Sequence, residues 1–186
     1  KYQIKVHQLT REQWGTDSYT MYGGPFHYPY RASRNWPLIP DVKDSNPIII
    51  RQTIADPLRN YGDRDSAFTS QPNDYIRDHK DINYFKSLLD QTLNQTTNPY
   101  SLAILGLETS MSTDIQKAYV EQIDYVYEYS KTYPLSVITP SDLAQDNSFI
   151  LPLSCVSGKD LVNQDNQTSI WINSTNYRLR FLLSNQ

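Results

Sequence analysis

The spacing of hydrophobic residues changes character twice along the chain. Residues Tyr2-Gln-Ile-Lys-Val-His7 alternate as a strand does, and Trp14 to Pro40 then runs dense in Gly, Pro, Tyr and Trp with no helical period. This predicts a first strand and a long aromatic-rich loop over residues 1–46. From Pro47 a rhythm of strand and helix begins. Ile48-Ile-Ile50, extended through Ile54, is a β-branched run that ends near Ala55-Asp56, where Pro57 prevents simple continuation. A polar loop, Leu58 to Asp78, separates it from Ile82, Phe85, Leu89 and Leu93, whose spacing marks an amphipathic helix ending before Asn98-Pro99.

Ser101-Leu-Ala-Ile-Leu-Gly-Leu-Glu108 is apolar without alternation, which predicts a strand covered on both faces, as in a parallel sheet. Thr113 with Gln116 three residues on reads as a capping box, and Ile115, Tyr119, Ile123 and Val126 form one stripe of a helix that ends near Lys131, ahead of Pro134. Leu135-Ser-Val-Ile138 is a further short strand, and Thr139 to Ala144 opens a helical turn with Pro140 early in it. Together these predict a parallel βαβαβ unit over 47–147. Phe149 to Val156, Ser169 to Ile172 and Tyr177 to Leu183 read as strands, with Asn173 to Asn176 as a turn, so a small antiparallel appendage is expected over 148–186. The fold class is α/β, and the three regions form one domain or a fragment of one.

At 186 residues the chain supports one core. Its 17 basic and 20 acidic side chains are scattered, which leaves no footprint for nucleic acid. No apolar run is long enough for direct membrane insertion. Cys155 is alone, which excludes a disulfide framework and a cysteine-rich metal site; His7, His27 and His79 lack the spacing of metal ligands. A glycine-rich phosphate loop and a nucleophile elbow are both missing, so neither a metal nor a cofactor is expected. Lys1 in place of Met, and a strand pattern still running at Phe181 to Gln186, lead us to expect further residues at one or both ends. Fifteen tyrosines with abundant Asn and Gln suit an extracellular or cell-surface protein that handles carbohydrate, because sugars pack on aromatic faces and hydrogen bond to amides. Sequons stand at Asn94, Asn166 and Asn173.

Ligands of parallel α/β folds bind beyond the carboxyl ends of the strands, which makes Glu108 and Asp56 the candidate catalytic pair. Two carboxylates across a sugar ring can divide the work of acid and of base or nucleophile. Set against this, Asp56 can simply begin a turn before Pro57, and Glu108 can pair with an arginine. In the loops, Tyr22, His27, Tyr28, Tyr30, Trp36 and Asp63 are candidates for substrate binding, the aromatic residues as a platform for a sugar ring. A loop packed on itself would use the same side chains.

Leu105-Gly-Leu-Glu-Thr-Ser110, the long helix after it and Leu135-Ser-Val-Ile-Thr-Pro-Ser-Asp-Leu143 resemble the closing units of a polysaccharide deacetylase-like barrel and of the related glycoside hydrolase family 57 type of (β/α)7 barrel. The resemblance covers residues 47–145 and implies the carboxyl-terminal half of such a barrel. The deacetylases' early paired aspartates and His-x3-His ligands have no counterpart here, and no residue aligns with the glycosidases' nucleophile. The expectation is therefore a carbohydrate-active domain, a hydrolase or an inactive partial barrel, with carbohydrate and either other protein chains or a missing segment of the same protein as partners. The alternative is a non-catalytic extracellular module for binding or assembly.

Overall fold

The computed structural model describes residues 5–9, 28–33, 35, 40–41, 47–59, 68–77, 80–107, 112–163 and 166–184. A central strand, β3 (Ile48–Arg51), lies between β1 (Val6–Leu9), which runs parallel to it, and the short β2 (Tyr30–Arg31), which runs antiparallel. All four residues of β3 are buried, as an unbroken β-branched run requires. Beyond β3 the chain doubles back. Ala55 bridges Thr69, Asp56 N donates to Phe68 O at 2.9 Å and Ser70 N donates to Ile54 O at 2.8 Å.

Helix α1 (Pro72–Arg77) falls inside the stretch read as polar loop, since six residues are too few to show a period. Helix α2 (Ile82–Leu93) matches the predicted span, with the Asp81 side chain accepting from Asn83 N at its start. It buries Tyr84, Phe85, Leu88 and Leu89 against Ile54 and Tyr75. Helix α3 (Thr113–Thr132) is capped by Ser112 rather than Thr113. Its buried positions are Ala118 and Gln122, and Ile123 of the predicted stripe is exposed. Gln122 decides this rotation, because its amide Nε2 donates to Ser70 O at 2.6 Å and to Tyr75 Oη at 3.1 Å. In α4 (Pro140–Gln145) Thr139 and Asp142 form a reciprocal capping box.

Residues 101–107 and 135–138, both expected as strands, belong to no strand among the described residues. The first segment still packs as a covered strand would. Ala103 and Leu105 join the cluster around Phe85, and Ile104 joins a different one with Ile48, Ile50 and Leu143. Gly106 is pressed on the chain just past β3: a Cβ there would stand 2.3 Å from the Gln52 carbonyl oxygen.

The expected antiparallel appendage is a meander of β4 (Leu153–Lys159), β5 (Gln167–Ser174) and β6 (Arg178–Ser184). It is fastened to the rest. The Pro57 carbonyl accepts both Trp171 Nε1 and Ser169 Oγ at 2.7 Å, Arg180 Nη2 donates to Leu58 O at 2.8 Å, and Arg59 pairs with Asp160. The molecule is thus mixed α/β with two small three-stranded sheets. None of the described helices is long and apolar enough to cross a membrane.

Candidate functional site

Asp56 sits just past β3, where a parallel fold would put a catalytic carboxylate, yet its surroundings are those of a turn. Its Oδ1 accepts from Leu58 N at 2.8 Å and Arg59 N at 3.0 Å, and Tyr84 Oη donates to Oδ2 at 3.2 Å. The residue is 0 % exposed. Burial pushes its pKa up, and the three donors only partly oppose that, with the Asp160 charge nearby adding to the rise. Asp56, expected as a catalytic carboxylate, is thus enclosed and hydrogen bonded to the amides of its own turn and to Tyr84 of α2, the arrangement of a structural turn residue.

Tyr28 and Tyr30, expected in a sugar platform, are enclosed in a similar way. Tyr28 lies edge-on to Tyr100 with centroids 5.4 Å apart, donates to Tyr100 O at 2.8 Å and accepts from Asn98 Nδ2 at 2.9 Å. Tyr30 packs with Ala32 and Ile49. Both rings are buried, so neither has a free face for a sugar. Glu108, Tyr22, His27, Trp36 and Asp63 lie outside the described residues.

Around the end of β3 is a buried polar network. Thr53 Oγ1 and Ser70 Oγ share a hydrogen bond, Ser70 Oγ accepts from Ile54 N at 3.1 Å, and Thr69 Oγ1 donates to Asp74 Oδ2 at 2.6 Å. It joins the turn, α1 and α3 through Gln122, so it holds the helices to the strand end rather than facing solvent.

Two features of α3 do face solvent. At its start a shallow depression of about 430 Å3 is lined by Thr113, Gln116, Lys117, Val120 and Glu121. Toward its end Tyr125, Tyr129 and Tyr133 follow one another at four-residue intervals, Tyr129 stacking on Tyr133 with centroids 4.4 Å apart. Asp90 accepts from Tyr125 Oη at 2.8 Å; burial, reinforced by the Asp90 carboxylate, pushes that phenol up to about 12. Tyr127 stands alongside, 62 % exposed, under Lys131. The sequence reading placed the aromatic surface on the first loop; the four-residue spacing of these tyrosines was the signal for this second one.

Among the described residues no His, Cys, Asp and Glu side chains gather in a group that could hold a metal ion. Of the sequon asparagines, Asn94 and Asn166 are exposed, whereas Asn173 is buried on the inner face of β5. No family model, curated protein or solved structure matches the chain.

Proposed function

We propose that this is a carbohydrate-active α/β unit of an extracellular or cell-surface protein, related to a (β/α)7-like barrel, with Glu108, at the end of the covered segment 101–107, as its acid/base or sugar-binding carboxylate. The observation that carries the reading is the depression at the start of α3. Its first lining residue comes five positions after Glu108, and Gln116, Lys117 and Glu121 offer the planar and charged hydrogen-bonding groups that sugar hydroxyls take, beside the apolar Val120. The packing of Gly106 on the chain beyond β3 supports it, since it brings the two apolar runs together at one end. The test is hydrolysis and binding of a panel of polysaccharides by the wild type and by Glu108→Gln. A loss of hydrolysis of about a hundredfold or more with binding retained is expected for a general acid or base. Equal activity in the two proteins would overturn the assignment.

A second reading, a non-catalytic module for binding or assembly, is favoured by a different observation. Val120, Ile123 and Tyr127 form an exposed stripe on α3, and Val137 beyond it is 96 % exposed. If that stripe is the working surface, Ile123→Lys abolishes retention on polysaccharide or on partner protein while Glu108→Gln leaves it intact. Retention that survives Ile123→Lys removes this reading.

A further inference from the structure

The two edges of the meander are treated differently. Along β4 the outward backbone groups are taken by side-chain amides. Asn98 accepts from Cys155 N at 2.9 Å and donates to Cys155 O at 2.6 Å. Gln95 repeats this at Ser157, at 3.1 and 2.9 Å, and Gln91 accepts from Lys159 N at 2.7 Å. In an antiparallel sheet alternate residues aim their N–H and C=O to opposite sides. Cys155, Ser157 and Lys159 therefore belong, with Leu153, to the outward set of β4, and of these Cys155 and Ser157 are served at both groups and Lys159 at its N–H.

The same alternation can be followed across the sheet. The pairs Ser154 with Asn173, Val156 with Trp171 and Gly158 with Ser169 point their backbone at one another. It follows that Thr168, Ile170 and Ile172 of β5 point at Leu183, Phe181 and Leu179 of β6. Arg178, Arg180, Leu182 and Ser184 are then the outward set of β6. Among the described residues no strand lies beyond it. The residues flanking this edge are apolar and exposed, Phe181 at 47 %, Leu182 at 56 % and Leu183 at 51 %. Charges are a common means of blunting an edge, but Arg180 here is turned inward to the Leu58 carbonyl and over the Trp171 ring.

We propose that β6 is an interface for a second copy of this chain, joined antiparallel across a two-fold axis at Phe181 into a six-stranded sheet. The argument for a copy, rather than another partner, is that this edge is its own complement. On the outer face Leu179, Phe181 and Leu183 read the same in both directions, as an isologous contact requires. About the axis Phe181 meets its equivalent, Leu179 meets Leu183, Arg180 meets Leu182 and Arg178 meets Ser184. No arginine opposes an arginine, whereas a parallel in-register pairing would set both against their own copies. The outward groups of Arg180 and Leu182 make the central hydrogen bonds, which leaves the two Phe181 residues as a non-hydrogen-bonded pair with the closer side-chain approach.

The inference rests on neither reading of function, and oligomeric state tests it independently of any glycan assay. Sedimentation equilibrium of the 186-residue chain should give a reversible dimer. Phe181→Lys sets like charges against each other on the axis and should weaken the dimer at least about tenfold. Phe181→Lys mixed with Phe181→Glu should restore it as a heterodimer. Leu182→Pro removes an N–H that points away from β5, so it should abolish the dimer while the β5–β6 ladder survives. Native folding of each variant is read from the near-ultraviolet circular dichroism of the buried Trp171. A wild type that stays monomeric to millimolar concentration overturns the proposal, as does a dimer indifferent to folded Phe181→Lys.

Discussion

A carboxylate buried away from solvent is costly to keep ionised, and Asp56 is in that position. Its folded-state pKa lies above the unfolded value, so the native state holds the extra proton in the window between them. Asp56 therefore makes stability fall as pH rises through that window, the opposite of a carboxylate held by a salt bridge. Asp160 is such a carboxylate. Burial works against its ionised form, but Arg59 and the N–H groups of Val162 and Asn163 outweigh that and hold its pKa low. Its contribution is present above the unfolded value and is lost as pH falls below it. Asp56→Asn keeps an acceptor for the two turn amides and discards the charge, so it should raise stability at pH 7, an advantage that shrinks toward pH 4. Urea unfolding at the two pH values measures this. A loss at pH 7 would mean that the turn depends on the charge itself.

Among the elements, α2 was the plainest in the sequence, because Ile82, Phe85, Leu89 and Leu93 carry an uninterrupted period over a full-length helix. The meander was legible too, since its inner residues alternate with outer ones and its turns are polar. What could not be read was anything fixed by a single polar partner. The rotation of α3 follows from Gln122 reaching Ser70 and Tyr75, contacts that join residues 47 or more positions apart. Of the candidate site, Asp56 was expected where a strand running through Ile54 would end; β3 stops at Arg51, and the surroundings of Asp56 depend on Tyr84 and on the backbone of its own turn. The sealing of β4 by Asn98, Gln95 and Gln91 was equally invisible, because amides look alike whether they face water or an edge strand. Leucine at 95 or 98 should speed hydrogen exchange at the Ser157 or Cys155 amide by at least about tenfold and cost about 1–3 kcal/mol. Exchange read residue by residue checks it, and unchanged protection would show that the amides are incidental.

For the molecule as a whole, the joint around Pro57 matters most. One carbonyl receives Trp171 and Ser169, and Arg180 and the Arg59–Asp160 pair flank it, so the meander shares its inner face with the turn that holds Asp56. Meander and α/β part should therefore unfold together. Fluorescence of the buried Trp171 and far-ultraviolet circular dichroism are expected to give superimposable denaturation curves. Separated midpoints would mean that the meander is an independent unit.

The buried position of Asn173 carries a practical consequence for making this protein. A eukaryotic secretory cell attaches oligosaccharide at the Asn-Ser-Thr tripeptide starting there, and a sugar tree on that nitrogen has no room between the strand and the body it covers. Material from such a cell would divide into a folded population unmodified at Asn173 and a trapped one glycosylated there, whereas bacterial production avoids the division.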